Sequence, residues 1–325
     1  MMSSKHKTFR PQFRLLALLA AFFLEPATQA QQTGMKDMLD AYDQAFLSAC
    51  TLNLTATYPT TAFDSRQGRS AAAVHVTSDG KEQALQLEDL QMDPPVFSAH
   101  RLERDYDNNG NLVLSHHKRT FVFLGTESWK CRFDPEEIRV DSSGKVAGAV
   151  KRPPHIDSRP VGHPDSANYF YRFVLPLGRG FSRLIETVTG IEAGENGIAN
   201  VTARGTMFSP NVGTWQLEVD TGHDYLIRRA EFLQDGANHS SVMSATETAG
   251  ISKGDIPLYR EGSFALASDY VINVTLIDYT NAVTPALISD VRLAVDTLAE
   301  DWTLLDFGRT NENGSPFVVR GAKVP

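Results

Sequence analysis

Gly213-Thr214-Trp215-Gln216-Leu217-Glu218-Val219-Asp220 is followed by a short polar connection and then by Tyr225-Leu226-Ile227-Arg228-Arg229-Ala230-Glu231-Phe232. The spacing predicts two strands, Thr214 to Val219 and Tyr225 to Phe232, joined tightly as a hairpin. Further strands are predicted on either side, at Ile198 to Ala203, Val242 to Thr248, Tyr259 to Leu266 and Tyr270 to Tyr279. The last is the clearest, because Tyr270, Ile272, Val274 and Leu276 alternate with Val271, Asn273, Thr275 and Ile277, the period of a strand.

The N-terminal half reads the same way. Leu52, Leu54 and Ala56 alternate with Asn53 and Thr55, and Ala72, Val74 and Val76 lead into Ser78-Asp79-Gly80-Lys81, an Asp-Gly hairpin signal. Strands are also expected around Leu85 and Leu87, Arg101 to Tyr106, Leu112 to Leu114, Thr120 to Leu124 and Ser128 to Phe133. Three helices are expected. Met35, Met38, Leu39, Tyr42 and Phe46 share a helical face within Met35 to Ala49; Phe181, Leu184, Ile185 and Val188 share another, ended by Gly190; Leu287, Ile288, Val291, Val295 and Leu298 line a C-terminal helix over 284–299. Residues 146–168, with Pro153, Pro154, Pro160 and Pro164, are expected to form a loop, and the stretch after Asp301 a short strand and a loose tail. Meander hairpins with few helices imply an α+β fold: a large curved antiparallel sheet, an unclosed half-barrel, packed on those helices and occupying residues 31–325 as a single domain.

Residues 1–30 read as a cleavable export signal. Lys5, Lys7, Arg10 and Arg14 precede the apolar run Leu15 to Leu24, and Thr28-Gln29-Ala30 ends on a small residue. Ten apolar residues are too short for the roughly 20 that span a bilayer, and no later run is long enough. The expected location is therefore periplasmic or extracellular, with no transmembrane segment after cleavage. The leader carries +3, which leaves −11 for residues 31–325 against −8 for the whole chain. Such a charge repels phosphate backbones and argues against nucleic acid as a partner. Two cysteines, Cys50 and Cys131, invite a disulfide in an exported chain, the alternative being two separate buried thiols.

Most catalytic signatures are missing from the sequence. It contains no His-Glu-x-x-His, no phosphate-binding Gly-Lys-Ser/Thr loop and no Cys-x-x-Cys. Gly178-Arg179-Gly180-Phe181-Ser182-Arg183 lacks a small residue at its last position and reads as a turn entering a helix. His116-His117 reads as a surface pair in a turn. His155 and His163, with Asp157 and Asp165, flank the prolines at a spacing that matches no standard zinc pattern. No cofactor, no metal and no enzymatic activity is expected.

The layout resembles the outer-membrane lipoprotein carrier (LolA-like) superfamily. An export signal runs into an amphipathic helix and a polar-alternating strand, Leu52 to Tyr58. Long meander hairpins follow, and in one of them a strand ends at Asp220, turns tightly and returns through Leu226 to Phe232. The resemblance implies a half-barrel wrapped around helices, with an apolar cavity for acyl chains. It implies an exported, non-catalytic binding protein whose partner is a lipid or a lipidated protein. The alternative is an extracytoplasmic sensor or scaffold that docks a protein on the same fold. Phe121, Phe123, Trp215, Leu217, Ile272 and Val274 are the expected cavity-lining residues; ordinary core packing is the other reading of each.

Overall fold

The computed structural model describes residues 29–48, 50–59, 69–90, 102–106, 112–124, 128–140, 146–151, 155–159, 170–207, 211–236, 240–245, 250–252, 256–267, 270–280, 303–310, 312–313 and 316–320. Helix α1 (Gln29–Ser48) is followed by β1 (Cys50–Pro59), β2 (Arg69–Ser78), β3 (Gln83–Asp89), β4 (Leu102–Tyr106), β5 (Leu112–Leu124), β6 (Ser128–Val140), β7 (Val146–Lys151) and β8 (His155–Arg159). Helical residues 170–174 run into a 3-10 turn, Leu175–Leu177. Then come β9 (Ile185–Ala193), β10 (Ile198–Thr206), β11 (Val212–Asp220), β12 (Leu226–Gln234), β13 (Ser240–Ala245), β14 (Glu261–Ala267), β15 (Tyr270–Thr280), β16 (Thr303–Thr310) and β17 (Pro316–Arg320).

Ladder pairings run continuously from β9 through β10, β11, β12, β13, β14 and β15 to β1, and on through β2, β3, β5, β6, β8 and β16 to β17. β4 and β7 pair with the remaining lengths of β5 and β6. The sheet is antiparallel, curved and unclosed, except that β8 and β16 pair in parallel. β1 is the join: Leu54 faces Val74 on one side and Leu276 on the other, so two meanders distant in sequence become one sheet. One face is covered by α1, through Met35, Leu39, Phe46 and Leu47, and by Phe170, Phe173, Leu175 and Phe181.

Several expectations are corrected. The helix expected at 181–190 is strand β9. Its buried residues Ile185, Val188 and Ile191 lie three apart because β-bulges interrupt the β9–β10 ladder between Thr202 and Ala203 and between Arg204 and Gly205. Each bulge adds a residue to β9 and resets the alternation, which imitates a helical period. The expected loop at 146–168 contains strands β7 and β8, with Pro153 and Pro154 between them in sequence. His116-His117 lies within β5, not in a turn, and His155 lies in β8. Leu112 to Leu114 and Thr120 to Leu124 are parts of that same strand β5, and the tail forms the β16–β17 hairpin. The helix expected at 284–299 and His163 lie outside the described residues.

Cys50 is a free, buried thiol, so the bridge expected with Cys131 is not formed. The pairings explain this. Cys50 on β1 faces Ser78 on β2, and Cys131 on β6 faces Phe121 on β5, with β2, β3 and β5 intervening. Four steps of about 4.8 Å exceed the roughly 7 Å that a disulfide tolerates between Cα atoms. Burial pushes the Cys50 thiol up to about 12.

The 3-10 turn lies hard against β14. A Cβ added at Gly262 would stand 2.0 Å from the Pro176 carbonyl oxygen. Gly262→Ala is therefore expected to destabilise the fold by about 1–3 kcal/mol, the usual cost of overpacking. Urea denaturation followed by circular dichroism checks this.

Candidate functional site

The site begins with a carboxylate that α1 carries into the interior. Asp43 is only 3% exposed. Its Oδ1 accepts the Gly180 amide at 3.0 Å, and its Oδ2 accepts the Ser182 amide at 2.7 Å. Gly178 (φ +87°) and Gly180 (φ +94°) shape the segment that presents these amides, in a backbone region L side chains avoid. Gly178-Arg179-Gly180 is thus a turn between the 3-10 turn and β9, not the entry to a helix.

Arg179 is buried beside this contact. Its guanidinium lies 5.2 Å from the centroid of the Tyr42 ring and donates to the backbone oxygens of Asp224, at 2.8 Å, and Tyr225, at 3.4 Å. Asp224 (φ +54°) and Tyr225 (φ +59°) are both in the left-handed region, at a cost on the order of 1–3 kcal/mol each. Arg179 holds that strained β11–β12 turn, and the Tyr42 hydroxyl donates to Asp224 Oδ1 at 3.1 Å. Tyr42 and Tyr225 stack with centroids 6.0 Å apart. Burial holds Asp43 above the usual carboxylate range, opposed by Arg179 and the two amides; burial lowers Arg179, opposed first by Asp43.

Tyr225 also borders a pocket of about 220 Å³ between α1 and the β9–β10 and β11–β12 turns. Met35, Ile191 and Ala199 are its buried apolar wall, and Ile198 is half-buried. Glu192, Asn196 and Thr221 add polar groups. The β9–β10 turn is built on Asn196 (φ +54°) and Gly197 (φ +80°), closed by the Ile198 amide donating to the Glu195 oxygen at 3.0 Å. Gln32 Nε2 ties the start of α1 to β9 by donating to the Thr189 oxygen at 2.8 Å.

The expected cavity residues lie elsewhere. Trp215, Leu217, Ile272 and Val274 are buried in the core and do not border this pocket. The Trp215 ring meets Phe232 at 4.9 Å and Phe181 at 5.8 Å between centroids, and its Nε1 donates to the Thr206 oxygen at 3.3 Å. The Phe121 and Phe123 side chains lie outside the described residues; their backbones pair with Gln86 and Ala84. Reading 181–190 as a helix hid the β9–β10 hairpin, although Asn196-Gly197 is a strong hairpin signal. Among the described residues no group of three His, Cys, Asp or Glu side chains is placed to hold a metal ion.

No protein-family model matches the chain, and no curated protein does. Solved structures do. The chain is similar in fold to a LolA superfamily protein from Nitrosomonas europaea. The identity is 11% and the TM-score 0.43, over 81% of this chain and 97% of that one. It is similar to a DUF1329 family protein from Desulfovibrio piger, at 11% identity and TM-score 0.41, over 78% and 93%. A domain described as an outer membrane lipoprotein-sorting protein, from Vibrio parahaemolyticus, gives 6% identity and TM-score 0.41, over 82% and 99%.

Two outcomes are expected. Trp215→Ala should cost about 3–5 kcal/mol of stability, as aromatic truncation in a closed core does, measured by chemical denaturation. Because burial raises Asp43, the folded state holds its proton more tightly than the unfolded chain does. Its contribution is fully present below the ordinary carboxylate value near ~3.9 and is lost as pH rises through the folded value. Unfolding titrations of Asp43→Asn across that window should show a flatter pH profile than the unaltered protein.

Proposed function

We infer that the protein is an exported, non-catalytic binding protein that holds a lipid, or the acyl chain of a lipidated partner, in an apolar recess of its half-barrel. The observation that carries this reading is the pocket walled by Met35, Ile191, Ala199 and Tyr225. The leader at residues 1–30 supports export. Among the described residues no helix is long and apolar enough to cross a membrane. At about 220 Å³ the pocket is smaller than the ~300–1,000 Å³ of sites for drug-sized ligands, so it suits part of one chain. Roughly six to eight buried methylenes contribute about 5–6 kcal/mol at ~0.8 each, which corresponds to a dissociation constant near ~0.1 mM.

A second reading has its own observation. The face carrying Trp215, Leu217, Ile272 and Val274 is already filled by α1 and the 170–181 segment. A closed core favours a sensor or scaffold that docks a protein and carries no lipid.

One experiment separates the two. Native mass spectrometry of gently purified protein should retain acyl mass, and a fluorescent alkyl probe should bind. Ile198→Trp, placed at a half-buried pocket position, should weaken probe binding by tenfold or more while leaving the melting temperature within a few degrees. Bare protein mass and unchanged probe binding in that variant would move the assignment to the sensor or scaffold.

A further inference from the structure

The charge around the pocket bears on which head group an alkyl ligand can carry, an inference that rests on the alkyl-binding reading above. Among the described residues Glu192 is the only formally charged side chain bordering the pocket, and it is exposed. Glu195 follows in the adjoining turn. No Lys, Arg or His among the described residues borders the pocket. Lys36, next to Met35 in the chain, pairs instead with Asp40 and donates to the Ser182 oxygen at 3.4 Å.

Several of the surrounding backbone donors are also engaged. The Gly194 amide donates to the Ile198 oxygen at 2.8 Å, and the Ile198 amide to the Glu195 oxygen at 3.0 Å. The Thr221 amide and hydroxyl both donate to the Gly197 oxygen, at 3.0 and 2.7 Å. The Gly222 and His223 amides turn to Asp220 Oδ1, at 3.0 and 3.2 Å. An anionic head brought here would leave water with no bordering Lys, Arg or His side chain among the described residues to receive it, and it would face a carboxylate.

We propose that the pocket takes the chain of a single-chain amphiphile with a cationic or uncharged head, and that Glu192 disfavours an anionic one. The test uses three probes of equal chain length, octyltrimethylammonium, octyl glucoside and octanoate, each below its micellar concentration. Binding is read from the Met35 methyl resonance of the purified protein, assigned with Met35→Leu. At low salt, octyltrimethylammonium should bind about threefold or more tighter than octanoate, the scale of an exposed charge interaction. That ratio should shrink at 0.5 M salt, where the Debye length falls to a few ångströms. In Glu192→Gln it should approach one, and Glu195→Gln should change it less. Octanoate binding as tightly as octyltrimethylammonium, or a ratio that Glu192→Gln leaves unchanged, would overturn the proposal while leaving the alkyl pocket standing. A Met35 methyl that responds to none of the three, octyl glucoside included, would overturn the alkyl pocket and the proposal together.

Discussion

A carboxylate withdrawn from water has to be met by donors, and Asp43 is met by the amides of Gly180 and Ser182 with Arg179 beside them. This contact fixes where α1 sits against the segment that leads into β9. Arg179 extends the same arrangement to the carbonyls of Asp224 and Tyr225, pinning a turn whose two residues have positive φ. Tyr225 then stacks on Tyr42 and borders the pocket. The helix, the 178–182 segment and the β11–β12 turn are therefore coupled through one buried polar cluster. Removing one partner would leave the other buried and uncompensated, which is costly.

That coupling shapes the functional reading. The sheet presents more apolar surface than a single helix covers, and the 170–181 segment, led by Phe170, Phe173 and Phe181, supplies the rest. Among the described residues one space left open lies between the first half of α1 and two hairpin turns. The recess is walled by Met35, Ile191 and Ala199, with polar side chains around it.

Much of the strand content was legible because alternation reports burial directly. Tyr270 to Tyr279 became β15, with Ile272 and Val274 buried, and Thr214 to Val219 became the middle of β11, with Trp215, Leu217 and Val219 buried. The first helix was legible too: Met35, Leu39 and Phe46 are buried as their spacing requires, although α1 begins earlier, at Gln29. Reading failed where bulges changed the period in β9 and where the prolines at 153 and 154 masked the two short strands β7 and β8 around them. The candidate site went unread for the same reason, since its walls come from β9 and the turn after it.

By itself the sequence determined the acidic balance, the first helix and the alternating strands, because each is local or follows from composition. Only the tertiary structure decided that β1 joins two meanders, that β8 and β16 pair in parallel, that Cys50 stays a free thiol and that Trp215 faces a filled core. Period-two alternation gives a strand two faces without saying which is covered. Coverage depends on segments far apart in the chain, such as Asp43 meeting Gly180 across 137 residues. No local pattern encodes that meeting, because its free energy arises only once both groups have left water together.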